Sequence, residues 1–415
     1  MSSGADPITS TWTLYQFNTP GTDLPDYPKF GVWHDAYYAA TNQTPPRVYA
    51  FDRASMLAGA AAGGFTATVV GLPGFGFQIV PPVDLGGPTA PPAGSPGIFI
   101  RHRDDEAHDG AATPASDLLE IFEFTPDFAT PANSTFTGPT AIAVADFESE
   151  LCGLTSFECF PQPGTTQLLD PLREPVMQRP VYRNFGTHQS LIGSFVTDVD
   201  GGAANRGGIR WFELRRPAGT TTGGWTLFQE GTVSAADGLS RWMGSLAMDG
   251  QGNMALGYST SGPAAGQFPS IRYTGRQVGD TAGTMPQVET EIIAGTASQT
   301  ISERWGDYSG MTVDPVDDCT FWYTTEYVPD GTGGFPLTRI ASFSFDSCGG
   351  CSADLVLANQ TLSGAQTLEA TSTATLGPSL IVNGTNIVVN APTVLFLNGV
   401  EVQGTFQAGN TTSCP

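Results

Sequence analysis

The chain has 415 residues and a formal net charge of −23, with 40 Asp and Glu residues against 17 Lys and Arg residues. Such a charge repels nucleic acid and anionic membranes, which excludes both as expected partners. No stretch approaches the roughly 18 consecutive apolar residues of a membrane helix, so no membrane insertion is expected. The 51 Gly and 32 Pro residues, beside 10% aromatic residues, favour short strands joined by many turns.

The excess of carboxylates has two interpretations. The first is solubility outside the cell, and the second is Ca²⁺ bound in acidic loops. The opening residues, Met1 to Gly4, have neither the basic segment nor the apolar core of a signal peptide. The chain is therefore interpreted as a mature form or as a fragment of a longer protein.

Strand-like runs follow one another along the chain, beginning with residues 11–17. A repeat unit starts at Tyr27 and extends to Phe51, and the Ala-rich residues 54–62 predict one short helix. Less regular units occupy residues 98–124 and 182–214. The clearest units begin at Arg241-Trp242 and Arg304-Trp305, and they match each other strand for strand. Repeats of this size, each a small antiparallel sheet, predict an all-β fold, a β-propeller.

Five blades are visible in the sequence, and a sixth would be present if another blade precedes them. Residues 225–229 and 289–293 are predicted to be outermost strands, whereas the last blade, ending near Phe345, lacks one. Residues 11–17 resemble residues 225–229, so we expect them to complete the last blade and close the ring. The alternative is that they end an upstream blade.

The pattern of apolar residues and turns along the sequence changes after residue 348. Short apolar runs between residues 380 and 396 are separated by the pairs Asn383-Gly384 and Asn398-Gly399, which are strong turn signals. The predicted domains are therefore a propeller over residues 1–348 and a small β-solenoid or β-roll tail over residues 349–415.

The six cysteines lie in neighbouring pairs, and none of them forms a metal-binding motif with a second pair or with histidine. Zinc is therefore not expected, and local disulfides imply an oxidising compartment. Proximity predicts the pairs Cys152–Cys159, Cys319–Cys348 and Cys351–Cys414. The expected location is secreted or cell-surface, that is, extracytoplasmic.

Three segments resemble a family of secreted bacterial β-propeller proteins for which no reaction is settled. The segments are residues 26–33, 241–245 and 304–309, and the resemblance covers roughly residues 6–348. Family members often carry a further N-terminal blade, which favours a fragment. The tail resembles C-terminal β-repeat segments of exported bacterial proteins. The resemblance implies a fold and a compartment but no catalytic residues.

Loops that enter the inner strands of a propeller converge at the mouth of its channel, where ligands bind. They carry a predicted ligand-binding set: Arg183, Arg241, Trp242, Arg304, Trp305, Trp33 and Asp35. Guanidinium groups bind carboxylates and Trp rings stack on sugars. The alternative is packing, with each Arg bonded to the next blade and each Trp buried between sheets.

Catalytic candidates in the same loops are His188, Asp307 and Tyr308. A cluster of three Arg beside a Tyr invites comparison with sialidases, but no Glu is placed to activate Tyr308, and His188 and His34 are each also explained as structural residues. Residues 101–110 form a polar loop, which is expected to be solvated. It includes His102, His108 and Asp104, but its spacing fits no specific metal site, so no metal is assigned and Ca²⁺ stays an alternative.

The sequence therefore predicts an extracellular binding or structural propeller that recognises a glycan or a protein. The tail would serve attachment, assembly or self-association. The alternative is a carbohydrate-active enzyme, a sialidase-like glycoside hydrolase or a polysaccharide lyase, acting at the channel mouth.

Overall fold

The structure is a computed structural model that describes residues 1–109, 117–154, 156–201 and 205–345. In the C-terminal region it describes residues 352–357, 361–363, 366–377, 380–383, 387–390, 393–396, 398–403 and 405–409. Contacts divide the chain into two compact units. The first comprises Met1–Val313 with Phe321–Ser342, and the second Asp314–Thr320 with Phe343–Pro415.

The first blade is an antiparallel sheet of four strands in chain order. They are β1 (Asp26–Val32), β2 (Ala36–Asn42), β3 (Arg47–Asp52) and β4 (Gly64–Thr68). Burial alternates along β1, where Tyr27, Lys29 and Gly31 point inward and Phe30 outward, as the two-residue period of a strand requires.

The second and third blades follow. A short strand, β5 (Asp84–Leu85), later joins the third blade. The second blade contains β6 (Gly97–Arg103), β7 (Leu118–Thr125) and β8 (Thr135–Ala143). The third contains β9 (Val181–Asn184), β10 (His188–Asp198), β11 (Gly207–Pro217) and β12 (Thr226–Val233).

The fourth and fifth blades contain the two units that match in sequence. The fourth has four strands, β13 (Ser240–Met248), β14 (Met254–Ser261), β15 (Ser270–Arg276) and β16 (Thr290–Ile293). The fifth has three, β17 (Gly310–Val313), β18 (Phe321–Tyr327) and β19 (Leu337–Phe343). The outer strands predicted at residues 225–229 and 289–293 are β12 and β16.

Neighbouring sheets contact one another in ring order. Blades one and two meet at Tyr38–Phe99 (5.6 Å between ring centroids), and blades two and three at His102–Phe195 (4.5 Å). Strand β10 lies against β13, and Trp242 meets Trp305 at 6.1 Å between blades four and five. The Tyr27 hydroxyl donates to the Asp307 carbonyl (2.9 Å), which joins blade five to blade one. The first unit is therefore a five-bladed β-propeller, as predicted.

One detail of the predicted ring closure is wrong. Residues 11–17 do not complete the fifth blade: they lie against the first. The Tyr15 hydroxyl donates to the Met56 carbonyl (3.1 Å), and the Phe17 ring packs on Phe51 at 4.4 Å. These aromatic and backbone partners outweigh the resemblance to an outer strand, because each ring gains burial without strand pairing.

The second unit contains short strands that pair in parallel. They are β20 (Ser352–Leu357), β21 (Thr361–Ser363), β22 (Gln366–Leu376), β23 (Leu380–Asn383), β24 (Ile387–Asn390), β25 (Thr393–Phe396), β26 (Val400–Val402) and β27 (Phe406–Gly409). Asp354 pairs with Thr373 and Thr373 with Thr393, at intervals of 19 and 20 residues. Parallel pairing at an interval of about 20 residues is the geometry expected of the predicted β-solenoid or β-roll.

Helices are few and short in the described part of the chain. They are α1 (Arg53–Leu57), α2 (Asp105–Asp109) and two 3₁₀ turns, Pro131–Asn133 and Cys152–Leu154. The first overlaps the first four residues of the predicted helical segment and is capped by Asp52, whose carboxylate accepts the Ser55 amide at 3.0 Å. No helix in the described ranges is long and apolar enough to span a membrane.

The Cys152–Cys159 disulfide is formed as predicted, with a Cα–Cα distance of 5.2 Å. Cys319 is also disulfide-bonded. The predicted partners Cys348, Cys351 and Cys414 lie outside the described residues.

Candidate functional site

The three tryptophans of the repeat lie inside the propeller. Trp33, Trp242 and Trp305 are each at most 1% exposed. The Trp305 indole donates to the Ser259 hydroxyl at 2.9 Å, and the Trp33 indole to the Ser95 carbonyl at 3.2 Å. Their ring faces are covered by neighbouring sheets, so this arrangement corresponds to the packing interpretation and leaves no indole face for a sugar.

Two of the three arginines are buried as well. Arg241 is 1% exposed and forms salt bridges with Asp237 (2.7 Å) and Glu289 (2.8 Å). Arg183 is also buried, and its guanidinium packs against the backbone at Gly87. Neither is presented to a ligand in this structure.

The polar candidates of the first and third blades have local partners. Burial raises the pKa of Asp35, whose carboxylate accepts the Tyr38 hydroxyl at 3.2 Å. The His34 ring contacts the Ser95 carbonyl (2.8 Å). The His188 ring stacks on Phe185 at 5.0 Å, and burial, with the charge of Arg215, lowers the pKa of His188. These groups do not line the pocket that holds Asp307 and Tyr308.

The remaining candidates, Arg304, Asp307 and Tyr308, are brought together in one pocket of the fifth blade. The pocket, termed the fifth-blade pocket, has a volume of about 330 Å³ and is lined by residues 304–309, 324–326 and 338. Arg304 Nη2 donates to Asp307 Oδ2 at 2.7 Å, while the Arg304 side chain is 56% exposed. Tyr308 is 63% exposed, so its ring is open to solvent.

Lys29, on the first blade, supports the pocket segment, residues 304–309. Its ammonium donates to the Asp307 carbonyl at 2.5 Å and lies 3.8 Å from the Tyr27 ring centroid and 4.1 Å from that of Tyr308. Burial lowers the pKa of Lys29 to about 7, against the opposing charge of Asp307. Because the Asp307 carbonyl also accepts the Tyr27 hydroxyl, two donors from blade one fix the position of the pocket segment.

Two further carboxyl groups belong to this region. Glu326 lines the pocket and accepts the Gly306 amide at 2.5 Å. Burial raises the pKa of Glu326, and the charge of Asp307 adds to the effect. Asp170, whose amide donates to the Glu303 carbonyl, is almost completely buried, and burial raises its pKa to about 7.

Gly306 allows the segment to fold over the fourth blade. Its φ of +61° is a left-handed conformation that favours glycine, and an added Cβ would lie 3.0 Å from Met243 Cγ. The result is a tight turn that places Asp307 and Tyr308 side by side at the start of β17.

Sequence reasoning missed Lys29, Asp170 and Glu326. Asp170 lies in an irregular segment, and Glu326 is one of several polar residues in β18. Lys29 did carry a signal, since it is the only lysine in the chain. A single lysine within an apolar strand is unusual enough to single out the position.

Asp170→Asn should change the pH dependence of stability. Between about pH 4 and pH 7 the folded chain keeps a proton on Asp170 that the unfolded chain has lost, so this group lowers stability as pH rises. Asparagine removes that penalty, and we expect the free energy of unfolding to rise by about 2–4 kcal/mol at pH 8 and to stay unchanged near pH 4.

Urea denaturation at the two pH values measures this difference. The exposed Asp330→Asn is the control and should stay within about 0.5 kcal/mol of wild type at both. Equal effects of Asp170→Asn at pH 4 and pH 8 would contradict the assigned protonation.

Most of the described side chains of the polar loop, residues 101–108, are buried, which corrects the expectation that this loop is solvated. His102, Asp104, Asp105 and His108 are all buried, and burial lowers the pKa of His102 to about 4. Ligand atoms of Asp104, Glu106 and Asp117 lie within 4.8 Å of one another.

Backbone donors already occupy the two aspartates of that cluster. Asp104 accepts the amides of Ala107 (3.1 Å) and Ser149 (2.6 Å), and Asp117 accepts those of Asp105 (3.1 Å) and Phe147 (2.7 Å). The cluster therefore organises the loop through buried hydrogen bonds.

Solved structures with a similar chain course include several glycoside hydrolases. An α-L-arabinofuranosidase from Fusarium graminearum is 10% identical over 77% of this chain and 92% of its own, with a TM-score of 0.34. An α-L-arabinanase from Penicillium chrysogenum is 10% identical, over 76% and 92%, with a TM-score of 0.37. An exo-1,5-α-L-arabinanase from a bovine ruminal metagenomic library is 11% identical, over 80% and 97%, with a TM-score of 0.37.

No family model matches the chain, and no curated protein matches it in sequence. The structural likenesses therefore concern the course of the chain and carry no argument about its chemistry.

Proposed function

We propose that this protein is an extracytoplasmic β-propeller that binds a glycan in the fifth-blade pocket. The observation that carries the proposal is the exposed Tyr308 ring beside the Arg304–Asp307 ion pair, inside a pocket of about 330 Å³. That volume lies at the lower end of the range of small-molecule sites, about 300–1,000 Å³. It suits the terminal unit or two of a sugar chain.

The chemistry of these groups is that of sugar recognition. An exposed aromatic ring stacks on the apolar face of a sugar, and planar charged groups bond to adjacent hydroxyls or to a carboxylate. Arg304 uses one nitrogen for Asp307, and its other donors form no side-chain hydrogen bond within the described residues. The guanidinium therefore offers a free edge to a ligand.

The compartment and the tail complete the proposal. A disulfide between Cys152 and Cys159 favours an oxidising location. The β-solenoid of the second unit would serve as an attachment or assembly element, since parallel coils expose edges that can pair with other chains. A family of secreted bacterial propellers, suggested by the sequence, fits the same picture.

A hydrolase or lyase is the second candidate, and one observation favours it. The pocket contains two carboxyl groups, Asp307 and Glu326, and the raised pKa of Glu326 is what a proton donor needs near neutral pH. Glycoside hydrolysis uses a pair of carboxyl groups of this kind.

Arg304→Ala and Tyr308→Ala should each weaken glycan binding about tenfold, because each removes an exposed group worth about 1.4 kcal/mol to a ligand. Both side chains are exposed, so folding should be unaffected. The measurement is a glycan array followed by calorimetric titration. The panel includes uronic-acid oligosaccharides and arabinobiose, and every mixture is analysed by mass spectrometry for cleavage.

Matched controls are Arg215→Ala and Phe228→Ala. This pair reproduces the chemistry of the pocket, with Arg215 bonded to Glu213 (2.6 Å) and stacked on the exposed Phe228 (3.5 Å), on the third blade. Cleaved products would establish the enzyme. Uronic-acid binding that survives both pocket variants, or silence on every glycan, would contradict the proposal and favour a protein partner.

A further inference from the structure

A second and larger pocket lies on the first blade. It has a volume of about 380 Å³ and opens over the outward face of β1 to β4, with residues 16–19 as its outer wall. This first-blade pocket shares no residue with the fifth-blade pocket. Nothing inferred for it depends on the function proposed above.

Aromatic rings form the interior of the first-blade pocket. Phe17 packs on Phe51 at 4.4 Å, and Tyr49 lies parallel to Phe51 with an interplanar angle of 7°. Phe65 completes this wall, and Phe30 stands at the opening with 60% of its surface exposed. An aromatic residue this exposed gives a free face to a flat, apolar ligand surface.

The polar groups of the same pocket are all uncharged. None of its lining residues is Asp, Glu, Lys, Arg or His, although the chain carries a net charge of −23. Gln16, Asn18, Thr19 and Thr66 line it with side chains that have no hydrogen-bond partner among the described residues. They offer amide and hydroxyl groups that both donate and accept.

The ligand that complements these features carries no charge, has a flat apolar face and bears hydroxyl groups at its edge. A charged ligand would lose its hydration without gaining an ion pair. A purely apolar ligand would leave the amide and hydroxyl groups unused. We propose that the first-blade pocket is a binding site for an uncharged sugar ring.

The test is calorimetric titration of the full chain with uncharged disaccharides: maltose, cellobiose and lactose. At least one should bind, and its affinity should be the same at about 0.15 M and 1 M NaCl, since no ion pair is formed. Phe30→Ala should weaken binding about tenfold by removing the stacking face. Thr66→Trp should abolish binding by filling the cavity.

Two controls separate this site from the rest of the surface. Phe228→Ala removes a ring that is 50% exposed elsewhere on the surface, and Arg215→Ala removes the charged group stacked on it; neither should change disaccharide binding. Thermal unfolding of each variant checks that it folds. If Phe30→Ala unfolds, Thr66→Trp and Gln16→Ala, at the wall, provide the same comparison.

Three results would overturn the inference. The first is silence with all three disaccharides, and the second is binding unaffected by both Phe30→Ala and Thr66→Trp. The third is saturable binding of the apolar dye N-phenyl-1-naphthylamine that none of the sugars displaces, which would assign the pocket to an apolar ligand.

Discussion

Trp305→Ala will lower the free energy of unfolding by about 3–5 kcal/mol, the usual cost of removing a fully buried Trp from a core. The indole is 1% exposed, meets Trp242 at 6.1 Å and donates to Ser259. Its removal leaves a cavity between blades four and five and an unpaired hydroxyl. Because the pocket segment starts at the neighbouring Arg304, glycan binding should weaken together with stability.

Guanidinium denaturation followed by tryptophan fluorescence and circular dichroism measures the effect. Trp12→Ala is the control, since Trp12 is 57% exposed and its indole donates to the Pro7 carbonyl at 3.2 Å. It should change stability by no more than about 0.5 kcal/mol. A Trp305→Ala protein that keeps full stability but loses binding would instead identify the indole as a ligand contact.

Arg241→Ala should lower stability by about 3 kcal/mol, because it removes the ion-pair partner of Asp237 and one of the two arginines paired with Glu289, the other being Arg272 at 2.6 Å. Arg241 bonds to Asp237 and Glu289, and Glu289 also accepts the Tyr258 hydroxyl at 2.7 Å. Both carboxylates keep some exposure, which places the estimate at the lower end of the range for broken buried pairs.

The loss of stability caused by Arg241→Ala should depend on pH. Burial opposes ionisation, but the hydrogen bonds from Arg241 outweigh it and lower the pKa of both Glu289 and Asp237. Their stabilisation is present above the unfolded carboxyl pKa, about 4, and is lost as pH falls through the lowered folded values. The difference between wild type and Arg241→Ala should therefore shrink in strong acid.

Arg206→Ala is the control, since Arg206 makes a single exposed hydrogen bond, to the Ala235 carbonyl (2.6 Å). Binding at the fifth-blade pocket should be unchanged in both variants once the protein is folded. Loss of ligand without loss of stability in Arg241→Ala would return this residue to the binding set.

The sequence predicted the blades well where strands are short, regular and bounded by turns. The units beginning at Arg241 and Arg304 align because each blade reuses the same strand pattern, and their second and third strands lie where the repeat places them. The first strand of the fifth blade is shorter and begins only at Gly310. The prediction that residues 11–17 complete the fifth blade was wrong. These residues have the composition of a strand, yet Tyr15 and Phe17 contact backbone and aromatic partners on the first blade. Composition does not specify which sheet a segment joins.

The candidate site was predicted only in part. Repeat positions of a propeller serve packing and binding alike, and the pattern alone cannot show that Trp242 is enclosed while Tyr308 is open. Arg241 and Arg304 correspond in the sequence repeat, but Arg241 lies in β13 between two carboxylates, whereas Arg304 lies before β17 and faces solvent.

The residues that sequence reasoning missed are distant in the chain. Lys29 contacts a carbonyl 278 positions away, and Asp170 lies in a segment without a repeat pattern. Their roles depend on burial by other blades, which no local window of sequence contains.

The single lysine gives the propeller a built-in reporter of its own opening. All other basic side chains are arginines or histidines, and the Lys29 amine is 3% exposed beneath the Tyr27 and Tyr308 rings. Acylating reagents reach this amine only when blades five and one separate. The rate at which Lys29 is acylated therefore reports how often blades five and one separate, in the way that amide hydrogen exchange reports local unfolding.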